Sequence, residues 1–149
     1  MKLYLVQHGK AFMEDVDPRK SITPAGREET EKVFSFLKDK ITVEYLWHST
    51  KLRAIQTAEV ILRYFPSLHP ESKEELSPNS PVEPVAEIIN NTGKNIMIVG
   101  HLPFLHKLVS FLVMNEDGYD LVSFSNSCVV CMEYVGIWKI EWVVTPYII

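Results

Sequence analysis

The sequence predicts an α/β fold, with helices on both faces of a mostly parallel sheet in a three-layer αβα sandwich. Two observations carry this expectation. Short apolar runs at residues 2–7, 44–48 and 95–99 each give way to a polar turn, as strands buried on both faces do. Segments with apolar residues three and four apart lie between them, and strands alternating with helices build a parallel sheet covered on both sides. The 149 residues fit one domain spanning 1–149, a length at which folding buries roughly 70% of the unfolded surface.

The first strand, residues 2–7, runs into a charged, irregular stretch over 10–23 that reads as a surface loop. Thr23-Pro24 then offers an N-cap hydroxyl and a proline at the first helical position. Val33, Phe34, Leu37 and Ile41 form one stripe on that helix, with Glu28 four residues before Lys32 on its outer face. The second strand, 44–48, hands over at Ser49-Thr50 to a helix whose stripe is Leu52, Ile55, Ala58, Leu62 and Phe65, stopped by Pro66. Residues 67–81 are rich in proline and serine and read as a loop. Ser80 and Glu83 have capping-box spacing ahead of a short helix ending near Asn91. The third strand, 95–99, ends at Gly100-His101, and the following 102–114 is apolar nearly all round, as a core helix is. Residues 127–135 and 137–144 read as two strands meeting in a tight turn at Gly136.

Composition narrows the function classes. The formal net charge is −4, so no overall basic field draws the chain to nucleic acid or to an anionic membrane. A site for a negatively charged substrate must therefore gather its positive charge locally. The opening apolar run is too short for a secretory core, and nothing approaches the roughly 20 apolar residues of a membrane span, so the expected location is the cytoplasm. Cys128 and Cys131 are spaced C-x-x-C, but on a strand residues three apart face opposite sides. With no second Cys/His pair and no Asp/Glu/His cluster at ligand spacing, they read as core thiols, and no metal or cofactor is expected.

Chemistry concentrates at the strand ends. His8 and His101 each stand just past an apolar strand, where open α/β sheets bind their ligands. Gly9 and Gly100 adjoin them and would let the backbone approach a ligand closely. Arg53 falls in the first turn of the helix after Ser49-Thr50, where a guanidinium fork and free helix N–H groups together suit a phosphate.

Several segments then match a known pattern. Gln7-His8-Gly9 resembles the Arg-His-Gly signature of the histidine phosphatase superfamily, and residues 49–57 (Ser-Thr-Lys-Leu-Arg-Ala-Ile-Gln-Thr) resemble its Ser-Pro-x-x-Arg-Ala-x-Gln-Thr segment. Ile22-Thr23-Pro24-Ala25-Gly26 is similar to its Leu-Thr-x-x-Gly helix start. Glu75-Leu76-Ser77-Pro78 and Gly100-His101-Leu102-Pro103 resemble segments of the SixA branch of protein-phosphohistidine phosphatases, which Trp142 to Pro146 echo weakly. The resemblance implies a phosphoglycerate mutase-like fold. It implies His8 as a nucleophile that becomes phosphorylated, with Arg53 and His101 holding the phosphoryl oxygens. Two departures stand out: the signature arginine is Gln7, and the branch's Arg-Pro-Leu-Thr is here Lys20-Ser21-Ile22-Thr23, preceded by Arg19. A charged hydrogen bond contributes about 1.5–3 kcal/mol where a neutral one gives roughly 1. Lys10, Arg19 or Lys20 is expected to supply the missing charge, which makes Gln7, Gly9, Arg19 and Lys20 substrate-binding candidates.

The resemblance also implies a substrate. Residues 66–95 leave no room for the cap of phosphomonoester branches, and Glu75 belongs to the branch pattern. A phosphorylated imidazole leaves nearly neutral, its conjugate acid having a pKa of about 6.5, and needs little acid assistance. The expected partner is thus a protein bearing phosphohistidine. Two other readings stay open: a compact phosphomonoesterase for a small metabolite, with Glu75 as acid, and a non-catalytic phosphate-binding module.

Overall fold

Strand alternation divides the core in two. On Lys2–Gln7 (β1) and Ile96–Gly100 (β4), Leu3, Leu5, Ile96 and Ile98 point to one face of the sheet, and Tyr4, Val6, Met97 and Val99 to the other. The computed structural model describes residues 1–149. Against the second face pack Pro24–Leu37 (α1) and Leu52–Leu62 (α2), through Val33, Phe34, Leu37, Ala54, Ala58 and Ile61. Against the first pack Glu83–Thr92 (α3) and Phe104–Met114 (α4), through Val85, Ile89, Phe104, Leu105 and Leu108. The result is the three-layer sandwich that the sequence predicts.

With Tyr45–His48 (β2), Pro70–Ser72 (β3), Val129–Tyr134 (β5) and Trp138–Val144 (β6), the sheet has six strands in the order β3-β2-β4-β1-β5-β6. The β3-β2-β4-β1 part is parallel, and β5 and β6 extend it antiparallel. Gly136, at φ 90°, turns the chain between β5 and β6 as expected. No helix is long and apolar enough to cross a membrane. Both cysteines are buried and unpaired.

Several element expectations are corrected. Helix α1 keeps its Thr23 cap, whose hydroxyl accepts from the Gly26 N–H, but ends at Leu37, so Ile41 packs from the following loop. Lys32 turns from Glu28 and donates to the Pro146 carbonyl instead, at 3.0 Å. The buried face of α2 is Ala54, Thr57, Ala58, Val60 and Ile61, rotated from the expected stripe, of which Leu62 and Phe65 still pack partly buried against the core. The 67–81 stretch contains β3 and one turn of 3₁₀ helix, Glu74–Leu76. No capping box forms, because Val82 occupies the N-cap of α3. Helix α4 is one-sided, with Val113 and Met114 on the surface.

A backbone crossing fixes how β1 enters α1. A Cβ on Gly26 would lie 2.4 Å from the Lys10 carbonyl oxygen and 2.7 Å from its nitrogen, so the chain leaving His8 rests directly on the first turn of α1. Gly26→Ala should therefore lower stability by about 1–3 kcal/mol, the usual cost of overpacking, read as a lower urea midpoint with unchanged slope. A midpoint equal to that of the unsubstituted protein would show that the crossing yields without cost.

Candidate active site

Neighbouring parallel strands bring the two histidines together. Gln7 of β1 pairs with Gly100 of β4, and the His8 N–H donates to the Gly100 carbonyl at 3.1 Å, which carries the ladder one residue past the strand. His101 follows immediately, and the two imidazole rings lie 5.1 Å apart between centroids. The chain then leaves β1 toward α1 on one face and β4 toward α4 on the other. Such a divergence opens a crevice at the strand ends. From the third side, the Asn126 amide donates to the His8 carbonyl at 3.0 Å, and the Ser127 N–H to that of Gln7 at 3.0 Å.

Arg53 is tied to the same point by a two-step relay. The Gly9 N–H donates to the Thr57 hydroxyl at 2.9 Å, and that hydroxyl donates to the Arg53 carbonyl at 2.7 Å, locking the first turn of α2 to the end of β1. Arg53 makes no ion pair with a carboxylate of the chain. Burial lowers its pKa, but a guanidinium stays charged at any working pH.

The histidines are neutral. Burial, with the nearby Arg53 charge as a smaller contribution, pushes His8 down to about 4, although the Gly9 carbonyl partly opposes it. His8 Nδ1 lies 2.8 Å from that carbonyl, which can only accept, so Nδ1 carries the proton. Neutral His8 then holds its lone pair on Nε2, the form a nucleophile requires. Burial first, then the charges of His8, Arg53 and Lys51, take His101 down to about 3. Its Nε2 sits 2.6 Å from the Ser49 hydroxyl, which also accepts from the Lys51 N–H at 3.1 Å. Either group can donate in that pair, since the hydroxyl keeps a second lone pair, and His101 Nδ1 is buried with no partner in the protein.

His8 opens into a cavity of about 480 Å³, whose walls include Arg53, Lys20, Lys10, Asn126 and Glu14. An adjoining cleft of about 640 Å³ shares Lys20 and Arg53 and adds Arg19 and Lys51. The geometry thus gathers His8, His101, Arg53 and Lys20, while Arg19 stands one cleft away. Gln7 lies on the strand face of Leu3 and Leu5, its Oε1 buried without a partner, and does not wall the cavity of His8. A Cβ on Gly9 would meet Gly26 O and Thr30 Oγ1 at 3.1 Å, so Gly9 makes room for α1, whereas one on Gly100 would make only ordinary contact with Leu105, at 3.4 Å. Glu74 and Glu75 wall a separate cavity. Ser49, Thr57, Asn126 and Glu14 were not singled out by sequence. The first two stood inside the segment around Arg53, and the other two carry no local signal.

The family model of the histidine phosphatase superfamily (branch 1) matches residues 3–77. The chain belongs to this superfamily. Membership supports phosphatase activity. The structure of the protein histidine phosphatase SixA complexed with tungstate is similar at a TM-score of 0.86 and 25% identity, covering 99% of this chain and 98% of that one. A protein assigned as phosphohistidine phosphatase SixA from Agrobacterium tumefaciens gives 0.78 at 20% identity, with 97% and 98% covered. The alpha-ribazole phosphatase from Shigella flexneri gives 0.76 at 17%, with 98% and 97% covered. These likenesses confirm the phosphoglycerate mutase-like class of fold expected from the motifs. No curated protein matches the sequence.

The depressed histidines make stability pH-dependent. Below their ordinary pKa of 6.5, the unfolded chain binds protons that folded His8 and His101 refuse, so the unfolded state gains as pH falls. Stability should be fully present above about 6.5 and decline as pH falls toward the folded values of about 4 and about 3. Nitrogen-detected NMR should show His8 as the Nδ1–H tautomer at pH 7 with a midpoint near 4, and His8→Ala should flatten the acid decline. A midpoint near 6.5 would contradict the burial argument.

Proposed function

We propose that residues 1–149 form a single histidine phosphatase domain that removes phosphoryl groups from phosphohistidine in proteins, without a metal, through a phospho-His8 intermediate. The observation that carries this reading is the state of His8: neutral, its Nδ1–H held by the Gly9 carbonyl, its Nε2 free beside Arg53 and His101. Nε2 attacks phosphorus, and the bond to the substrate imidazole breaks with its electron pair going to the leaving nitrogen. Water then attacks the phospho-His8 phosphorus, releasing inorganic phosphate and restoring the lone pair of Nε2. Arg53 and Lys20 balance the phosphoryl charge, and His101 Nδ1–H donates to one oxygen. Gly9 contributes its carbonyl to the tautomer of His8, while Arg19, on the adjoining cleft, is proposed as an outer substrate contact. The proposed setting is the cytoplasm.

The SixA likenesses support phosphohistidine as the substrate, as does a leaving group that needs little protonation. A second reading has its own observation. Glu14 walls the His8 cavity and could protonate a departing alkoxide, the role first considered for Glu75, so a phosphomonoester of a small metabolite remains the alternative.

Phosphate release from a phosphohistidine protein, a phosphoserine peptide and sugar phosphates, measured in parallel, decides between them. Phosphohistidine should be turned over at least tenfold faster, with no effect of chelators. His8→Ala should abolish turnover, and labelled substrate should leave acid-labile phosphate on His8. Label elsewhere would overturn the nucleophile; preference for sugar phosphates, lost in Glu14→Gln, would favour the second reading. Lys20→Ala should lower kcat/KM about tenfold, the effect of one charge-assisted contact. An unchanged value would leave the missing charge to Lys10 or Arg19.

A further inference from the structure

The cleft beside the His8 cavity has a composition that phosphoryl binding alone does not use. Arg19, Lys20, Lys51 and Arg53 wall it with no carboxylate among the lining residues, in a chain that carries 19 acidic residues against 15 basic ones. Lys20, Lys51 and Arg53 form no ion pair, and Arg19 reaches only Asp17, at 3.9 Å from a side chain 78% exposed. Asp17 is itself engaged, accepting from the backbone N–H groups of Arg19 and Ser21 and from the Ser21 hydroxyl. Glu74 and Glu75 line a different cavity, which meets the cleft at Ser80, and Glu14 walls the cavity of His8.

The arrangement is also held in advance. Lys20 sits at φ 51°, a left-handed conformation that a side-chain-bearing residue adopts at a cost, and its N–H closes a turn onto the Asp17 carbonyl at 2.9 Å. That turn puts Lys20 between the cavity of His8 and the cleft, on the wall of both. Ser77, Pro78, Asn79 and Ser80 complete the lining without adding a charge.

We propose that this cleft is a second anionic subsite, which takes acidic side chains of the substrate protein next to its phosphorylated residue. The inference rests on the phosphatase reading and adds substrate selection to it. The cleft is continuous with the phosphoryl cavity through Lys20 and Arg53, so residues flanking the reacting one fall into it. Its surplus charge sits in a molecule of net charge −4, whose remaining surface repels acidic partners. Each exposed ion pair contributes several-fold at most, so two of them give a preference on the order of tenfold, weakened by salt.

The test compares phosphohistidine peptides carrying two Asp or two Asn beside the phosphorylated residue, on either side of it, at low and high salt. The expected result is about tenfold higher kcat/KM for an Asp peptide at low salt, falling toward parity as salt rises. Lys51→Glu should cut that ratio below twofold; an acidic residue at the start of α2 favours the helix, so folding should survive. Equal kcat/KM for Asp and Asn peptides, or a preference that Lys51→Glu leaves intact, would overturn the subsite. If no phosphohistidine peptide is turned over, the phosphohistidine reading fails by itself. The same Asp/Asn comparison on phosphoserine peptides then decides the cleft.

Discussion

The register of β1 against β4 is the constraint on which the site depends. With Gln7 opposite Gly100, the two strands end level, and the next residue of each is a histidine. A slip of one residue would move His8 along its strand by roughly 3.3 Å and turn every side chain of β1 to the other face. Leu3 and Leu5 would then exchange layers with Tyr4 and Val6, so both halves of the core enforce the register that sets the rings 5.1 Å apart.

That placement has an electrostatic consequence. Burial above all, with the Arg53 charge beside it, holds both imidazoles neutral. Positive charge comes instead from Arg53 and from Lys10 and Lys20 on the cavity wall. In the proposed mechanism, neutral histidines supply a lone pair and an N–H, while these cations balance an incoming phosphoryl group. The cost is sensitivity of the fold to acid.

Small and polar residues make this geometry possible. Gly26 lets the chain after His8 lie on α1, and Thr57 links Gly9 to the first turn of α2. The Gln56 side chain accepts from the Ile22 N–H at 2.7 Å, fastening the loop that carries Lys20 to the same helix. Each of these contacts joins segments distant in sequence, so none could be read as a local pattern.

The sequence by itself determined the layer architecture, the strand-end positions of His8 and His101 and the helix start carrying Arg53. Those follow from local periodicity and from motifs whose residues are near neighbours in the chain. Helix faces were less legible: on α2 the expected stripe shares only Ala58 with the buried face, because which side of a helix meets the sheet is set by packing across the chain. Only the tertiary structure decided that Gly9 makes room for α1, that Lys20 rather than Arg19 walls the His8 cavity, and that Glu14 replaces Glu75 as its nearby acid. The physical reason is common to all three. Where a loop side chain ends up depends on turns and hydrogen bonds closed across the chain, such as the Asp17 turn that holds Lys20 left-handed, and no periodic pattern encodes them.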